Sequence, residues 1–194
     1  MIKLSGTNQL RKNTSDLVVL IRGAGEIASG IAHALYCAHF RVCLADISNP
    51  TAIRREVSFC EAIYEGFKNV EGVIAKYISS SVDIDTVWKE GKIPLLVDPE
   101  ITLRHKLKPA ILVDAIVAKR NLGTHLSDAS LVIGIGPGFY AGRDVHIVVE
   151  TNRGHNLGRI ISQGEAEADT KVPGIIGGFS SERVLRAPAD GRAG

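Results

Sequence analysis

Aromatic residues make up only 5% of this 194-residue chain, cysteines number three, and the formal net charge is +2. Each shortage removes a class of protein. So small a net charge, with no basic run and no interleaved aromatics, gives no electrostatic footprint for nucleic acid. The cysteines, Cys37, Cys43 and Cys60, form no CxxC and no zinc spacing, which argues against a disulfide framework. Cys37 and Cys60 fall on apolar stripes of helical patterns and Cys43 in an apolar strand, so all three are expected to be buried packing. No apolar stretch approaches the roughly 18 residues that cross a bilayer. Residues Met1 to Asp16 read as a polar leader without the apolar core of a signal peptide, which points to the cytoplasm. There is no Walker loop, no H-E-x-x-H and no G-x-S-x-G elbow. Tyr64-x-x-x-Lys68 imitates the pair of short-chain dehydrogenases, but Gly66 interrupts the helix between them.

What the chain does have is 45% hydrophobic residues and 20 glycines, the composition of an α/β fold with many tight strand–helix turns. Leu17 to Ile21 is a continuous apolar run, the mark of a strand buried on both faces. After Gly23-Ala-Gly25, the residues Ile27, Ile31, Leu35 and Ala38 recur at helical steps. Phe40 to Ala45 is the next strand, closed by Asp46. Asn49-Pro50 opens an expected second helix with Ile53, Val57, Cys60 and Tyr64 as its buried stripe and Gly66 as its end. Further strands are expected at 73–78, 93–97, 110–113, 131–135 and 145–149. A short helix is expected at 84–89, and Asp98-Pro-Glu100 is a second cap-then-proline helix start. The alternation predicts a Rossmann-like, mostly parallel sheet with helices on both faces over residues 17–150. From Glu150 glycine becomes frequent, with turns at Val172-Pro-Gly174 and Ile176-Gly-Gly178, so 151–194 is expected to be a Gly-rich extension.

The strongest chemical signal is Gly23-Ala-Gly25-Glu-Ile-Ala28, a G-x-G-x-x-A fingerprint between a buried strand and an amphipathic helix. Gly23 permits the tight turn, and Gly25 lets backbone approach a diphosphate. The helix N-terminus at Ala24 to Ile27 offers N–H groups to the anion, and Ala28 is small enough to pack helix on strand. Asp46 lies 23 positions beyond Gly23, where an acid accepts ribose hydroxyls in dinucleotide-binding units. Arg54 and Arg55 follow closely enough to offer charge to an extra phosphate, or to be a solvated stretch of helix.

Gly136-Pro137-Gly138-Phe139 follows another strand and is expected to face the same cleft. Asp114 ends the preceding strand, and Lys119, Arg120 and Asn121 follow it as candidate anion contacts. Asp144 and His146 share one face of an expected strand and are open to acid–base pairing, to metal binding or to plain structural roles. His155 sits in a turn. No metal site emerges from these spacings.

Long blocks of the chain resemble a known family. They are Ile21 to His33, Pro50 to Arg55, Leu112 to Ala115 with Lys119 to Gly123, Gly134 to Phe139, Asp144 to His146, Glu150 to His155, and Arg186-Ala-Pro-Ala-Asp-Gly191. The family is the accessory proteins of selenium-dependent molybdenum hydroxylases, related to the maturation factors of xanthine and carbon monoxide dehydrogenases. The resemblance implies a role in supplying or activating the molybdenum cofactor of a hydroxylase apoenzyme partner. It also implies that the extension opens a small Gly-rich β domain, of which this chain contains only the beginning. The cofactor of many such hydroxylases is itself a dinucleotide. Its diphosphate would suit Gly23 to Ala28, its ribose Asp46, and its pterin the region of Gly136 to Phe139, Asp114 and Lys119. NAD or NADP in an oxidoreductase, or a docking module with a silent nucleotide fold, are the alternatives. Self-association is left open by the sequence.

Overall fold

A computed structural model describes residues 14–169, 172 and 175–183. The leader up to residue 13, Pro173-Gly174 and the Arg186–Gly191 block lie outside the described residues.

Seven strands run parallel: β1 (Val18–Arg22), β2 (Arg41–Asp46), β4 (Val73–Tyr77), β5 (Ile93–Val97), β6 (Ile111–Asp114), β7 (Leu131–Ile135) and β9 (Ile147–Val149). Two antiparallel edge strands, β3 (Phe67–Val70) and β10 (Ile160–Ile161), complete a nine-stranded sheet of order β10-β9-β7-β6-β1-β2-β5-β4-β3. β8 (Tyr140–Ala141) pairs apart from it with β11 (Gly164–Glu165). The helices are α1 (Glu26–Cys37), α2 (Ala62–Glu65), α3 (Ile84–Lys89) and α4 (Leu103–Leu107). None is long and apolar enough to cross a membrane.

The continuous apolar runs are what a two-sided sheet requires, because alternate residues enter opposite cores. Val19 and Ile21 of β1 join Val42, Leu44 and Val113 under α1 and Phe59. Leu20, Cys43 and Leu112 join Ile84, Val87 and Leu103 on the other face. Burial holds the Cys43 thiol far above its usual range.

α1 packs partly through its expected stripe, with Ile31 and Leu35 half-buried against the core, but its most buried residues are small ones. Ala28, Ser29 and Ala32 are its buried residues, whereas Ile27 is 44% exposed. Small side chains let the helix axis lie close to the sheet. Ser29 Oγ donates to Ala24 O at 3.0 Å and accepts from Phe59 N at 2.7 Å, stitching helix, glycine loop and core together. Cys37 is exposed, contrary to expectation, because it lies beyond that narrow contact.

The expected second helix is broken. Residues 55–57 and 59–61 form separate 3-10 turns before the single turn of α2. Cys60 is buried, but Ile53 is 93% exposed and Val57 and Tyr64 are also exposed. Phe59, fully buried, takes the core position that the periodicity assigned to Val57 and Tyr64. Gly66 ends the element as expected, with φ +84°. The strand β3 was not anticipated, since Phe67-Lys-Asn-Val70 is polar and half-exposed, as suits an edge. α4 starts later than Asp98-Pro-Glu100 implied. The Asp98 carboxylate reaches forward to accept from Leu103 N at 2.8 Å and Thr102 Oγ1 at 2.9 Å. The last parallel strand is shorter than expected, 147–149 instead of 145–149. Across the expected boundary at Glu150 the chain continues into the same sheet through β10, and the turn at Gly177-Gly178 is present.

Candidate functional site

β1 sits at the point where the strand order reverses. The chain passes from β1 to β2 on one side, and later returns to β6 on the other. Ligands of open α/β sheets bind outside the carboxyl ends of the strands at such a point. A cleft of about 390 Å³ lies there, with Gly23 and Gly25 from the β1 end, Asp46 from the β2 end, and Ile116 and Val117 beyond β6.

Gly23 has φ +103°, and a Cβ on it would stand 3.1 Å from Ile116 Cγ2; only glycine makes this turn without strain. Gly25 is the N-cap of α1, in extended conformation, and a Cβ there would meet nothing within 4 Å. The first N–H groups of a helix have no partner within it, so the space beside Gly25 is one an anion can occupy. Ala24 and Ala28 are fully buried behind the loop; they shape it without lining the cleft.

Asp46 has both oxygens engaged, accepting from Ala24 N at 2.7 Å and Ile47 N at 2.8 Å. Burial raises its carboxyl above the usual range against those two hydrogen bonds. It therefore clasps the glycine loop to β2, and each oxygen keeps a lone pair for a further donor. Glu26 also bears on the cleft. Its carboxylate accepts from Ile53 N at 3.0 Å and Arg54 N at 2.8 Å, tying the loop after β2 to the start of α1. Partial burial works to raise this acid, but backbone donors at Arg54, Glu26 itself and Ile53 outweigh it and hold it below the usual range. Ile27, beside it, gives the cleft an apolar wall. Cys60 stands behind this region with its thiol pushed up to about 11, first by burial and then by Asp46 and the neighbouring glutamates. It is no thiolate nucleophile at neutral pH.

The arginines proposed for an extra phosphate are placed otherwise. Arg55 grips Glu61 through Nε at 2.6 Å and Nη2 at 2.5 Å and lies over the Tyr64 ring. Arg54 is exposed, its Nε 4.0 Å from Glu26. Among the described residues, no lysine or arginine lines the small cleft.

Asp114 lines neither this cleft nor the one described below. It is fully buried, 3.2 Å from Arg22 Nη1, and accepts from Thr124 Oγ1 at 2.6 Å. Arg22 went unnoticed in the sequence, although a charge ending the run Val-Val-Leu-Ile is the signal that marks it. Its guanidinium also donates to Thr124 Oγ1, Pro99 O and Leu122 O at 3.0–3.1 Å. One buried cation thus ties the end of β1 to the loops that follow β5 and β6, and Leu122 is part of the cleft wall. Asn121 closes its own turn through Thr124 and Gly123.

The loop Gly136 to Phe139 does not face the small cleft. A Cβ on Gly138 would stand 2.5 Å from Arg120 N, and one on Gly136 would stand 2.7 Å from Thr151 Oγ1. Phe139 is buried in the opposite core, under Gly134. The glycines are there because their own chain presses on them. Pro137 and Lys119 line a second cleft of about 600 Å³, together with Thr151 and Arg153. Glu167 and Asp169 line it as well, and behind Thr151, Asn152 and Glu167 stands Glu150, a buried acid that sequence reading did not single out. Its carboxylate accepts from Thr151 N, Asn152 N and Glu167 N, each at 2.7 Å.

Asp144 and His146 are not paired with each other and precede β9. Asp144 accepts from Tyr140 N and pairs with Arg143, while His146 Nδ1 accepts from Val132 N at 3.0 Å. Tyr64 donates to Pro50 O and Lys68 pairs with Glu56. Among the described residues, no group of three His, Cys, Asp or Glu side chains is gathered as for a metal ion.

No protein-family model matches the chain, and no solved structure matches it. Among curated proteins the chain is similar to the Escherichia coli (strain K12) protein called uncharacterized protein YqeB, with 49% identity over 174 residues. That span is 90% of this chain and 32% of the relative, so the chain covers about a third of the length of the curated relative it matches.

Proposed function

We propose that this chain binds a nucleotide at the carboxyl edge of its sheet, and that it serves as an accessory factor that holds the dinucleotide form of the molybdenum cofactor for a hydroxylase apoenzyme. The observation that carries the binding reading is the open space at Gly25, at a helix N-terminus and at the reversal of strand order. The accessory role rests on the family resemblance. It is supported by where most of the resembling blocks lie: residues 21–33, 112–115, 119–123, 134–139 and 150–155 belong to β1 with α1 or to the ends and loops after β6, β7 and β9, while 50–55 follows β2, 144–146 precedes β9 and 186–191 lies outside the described residues.

The residues suit such a cargo in three respects. Amides at Gly25 to Ile27 meet a diphosphate, Asp46 retains acceptor capacity for ribose hydroxyls, and Ile27, Ile47 and Ile116 offer apolar surface to a base. The metal and its chemistry belong to the cargo; this chain orients it and hands it on. In this reading the protein works in the cytoplasm, with neither nucleic acid nor membrane as partner.

One observation favours a second reading. A cleft with Asp46 and Glu26 and, among the described residues, no cation in its lining suits an unphosphorylated ribose, so a nicotinamide enzyme of this type would use NAD in preference to NADP.

The test is mass spectrometry of small molecules released from the purified chain, with calorimetric titration of cytosine and guanine molybdopterin dinucleotides and of NAD. Tight binding of a pterin dinucleotide that is lost in Gly25→Asp is the expected result. Binding of NAD alone would replace the accessory reading with the oxidoreductase one. No nucleotide binding at all would overturn both and leave a docking module.

A further inference from the structure

The end of the sheet away from the glycine loop holds a third cleft, of about 720 Å³. Lys108 and Pro109 enter it just ahead of β6, and Ala129 and Ser130 just ahead of β7. It therefore lies at the amino ends of these parallel strands, whose length separates it from the two clefts at their carboxyl ends. α4 contributes Arg104 and His105 to its lining, and the 3-10 turn before β7 contributes Ser127 and Asp128.

Donors dominate this lining. Arg104 and Lys108 are cations, His105 and His125 bring imidazoles, and Ser127 and Ser130 bring hydroxyls. Asp128 is the one carboxylate among the described lining residues, and both of its oxygens are engaged. Oδ1 stands 3.1 Å from Arg104 Nε, and Oδ2 accepts from His125 N at 2.8 Å. Asp144 also interacts electrostatically with His125, but it lies outside the lining and is gripped by Arg143 at 2.9 and 3.0 Å. Arg104 Nη1 is turned back to Glu100 O and Ile101 O. Lys108 is left without an acid: among the described residues its ammonium makes no ion pair or hydrogen bond. One ring nitrogen of His125 accepts from the Asp128 N–H. The proton of the neutral ring is then on the other nitrogen, which stays a donor.

The unpaired lysine is also conformationally strained. Lys108 has φ +44° and ψ +60°, left-handed backbone at the end of α4, where glycine is the usual residue. The residue after it is Pro109, and a following proline favours extended backbone instead. Two local preferences thus oppose the residue found, and outliers of this kind concentrate at ligand sites. Cations near a helix end also offset its terminal carbonyls. α4 has only five residues, however, and His125, Ser127 and Ser130 reach the same cleft from a separate segment.

We infer that this cleft binds a phosphate group, at a site separate from the nucleotide cleft and independent of the nucleotide reading. Lys108 pairs with the phosphate charge, and the imidazoles and serine hydroxyls donate to its oxygens. A phosphate offers more acceptor oxygens than a carboxylate, which suits a lining of several donors. Small-molecule pockets run from about 300 to 1,000 Å³, so 720 Å³ leaves room for an organic body against Pro109 and Ala129.

The experiment titrates the wild-type chain, Lys108→Gly and Lys108→Arg with inorganic phosphate and with the ester glycerol phosphate. Calorimetry gives the affinities, imidazole NMR signals give the location, and thermal unfolding is the folding control. Binding with a Kd below about 1 mM is expected, with the signals of His105 and His125 moving and that of His33, on α1, staying put. Lys108→Gly weakens binding about tenfold, as loss of one charge-assisted contact would. Its Tm nevertheless equals or exceeds that of the wild type, because glycine relieves the left-handed backbone. Lys108→Arg keeps the charge and most of the affinity. Tighter binding of the ester supports a phosphorylated small molecule as the ligand, and tighter binding of inorganic phosphate supports the free ion. Failure of both to bind, binding that leaves the two imidazoles unmoved, or affinity unchanged in Lys108→Gly would overturn the site and reduce these cations to a cap on α4.

Discussion

Two glycine-rich loops follow buried parallel strands in this protein, and they do opposite things. At Gly23-Ala-Gly25 the chain turns away from its own sheet, and the second glycine faces open space. At Gly136-Pro-Gly138 both glycines are pressed by other parts of the chain, one by Thr151 and the other by the backbone of Lys119 and Arg120. The first loop leaves room for a ligand; the second fills its room with protein. Glycine content signals close approach of something to the backbone, and only the surroundings say whether it is a ligand or the chain itself.

The comparison can be broken most directly at Gly138. Gly138→Ala combines an unfavourable φ of +107° with a Cβ 2.5 Å from backbone. We expect a loss of about 3–5 kcal/mol in urea unfolding; a loss below about 1 kcal/mol would mean that the loop is not packed this way. Asp114→Ala tests the network beneath the same loops. It leaves Arg22 charged and buried without its carboxylate, and breaking such a pair costs about 3–4 kcal/mol. A milder effect is expected at Gly136, where the obstructing atom is the Thr151 hydroxyl, at the end of a side chain. Gly136→Ala costs about 2 kcal/mol, and Thr151→Ala in the same chain recovers part of it.

Gly25→Asp sharpens the contrast from the other side. Its φ of −70° suits any residue, nothing obstructs a side chain, and aspartate is a good N-cap. Stability should stay within about 0.5 kcal/mol of wild type, while the new charge removes nucleotide binding. Smallest of all is the pH effect. Glu26 has a lowered pKa in the folded state, so its contribution is present above the ordinary glutamate value of about 4.3 and is lost as the pH falls through the lower folded value. Asp46, raised by burial, contributes with the opposite sign: it favours the folded state at low pH, and this gain is lost as the pH rises through its folded value. Carboxyl carbon NMR should therefore find Glu26 titrating below, and Asp46 above, its own value in free peptides.

Much of the scaffold was legible because it obeys local rules. Apolar runs at 17–21, 93–97 and 131–135 and the fingerprint at 23–28 reflect side-chain burial and backbone sterics, which neighbouring residues reveal. Helical periodicity was right for Ile31 and Leu35, which pack on the core, and misled at Ile27 and in the second helix. Ala28, Ser29 and Ala32 pack α1 while Ile27 is left at the cleft, and Phe59 displaces Val57 and Tyr64 from the core. Asp46 was identified by its spacing, but its engagement with Ala24 and Ile47 was not.

By itself, then, the sequence determined the class of fold, the turn between β1 and α1 and the acid at the end of β2, because each depends on residues within a few positions of one another or on a fixed periodicity. The tertiary structure alone decided which glycine loop is open, that Asp114 belongs to Arg22 92 positions away, and that the loop after β6 borders two clefts. Those outcomes depend on which strands become neighbours, and long-range contacts of this kind leave no local pattern in the chain.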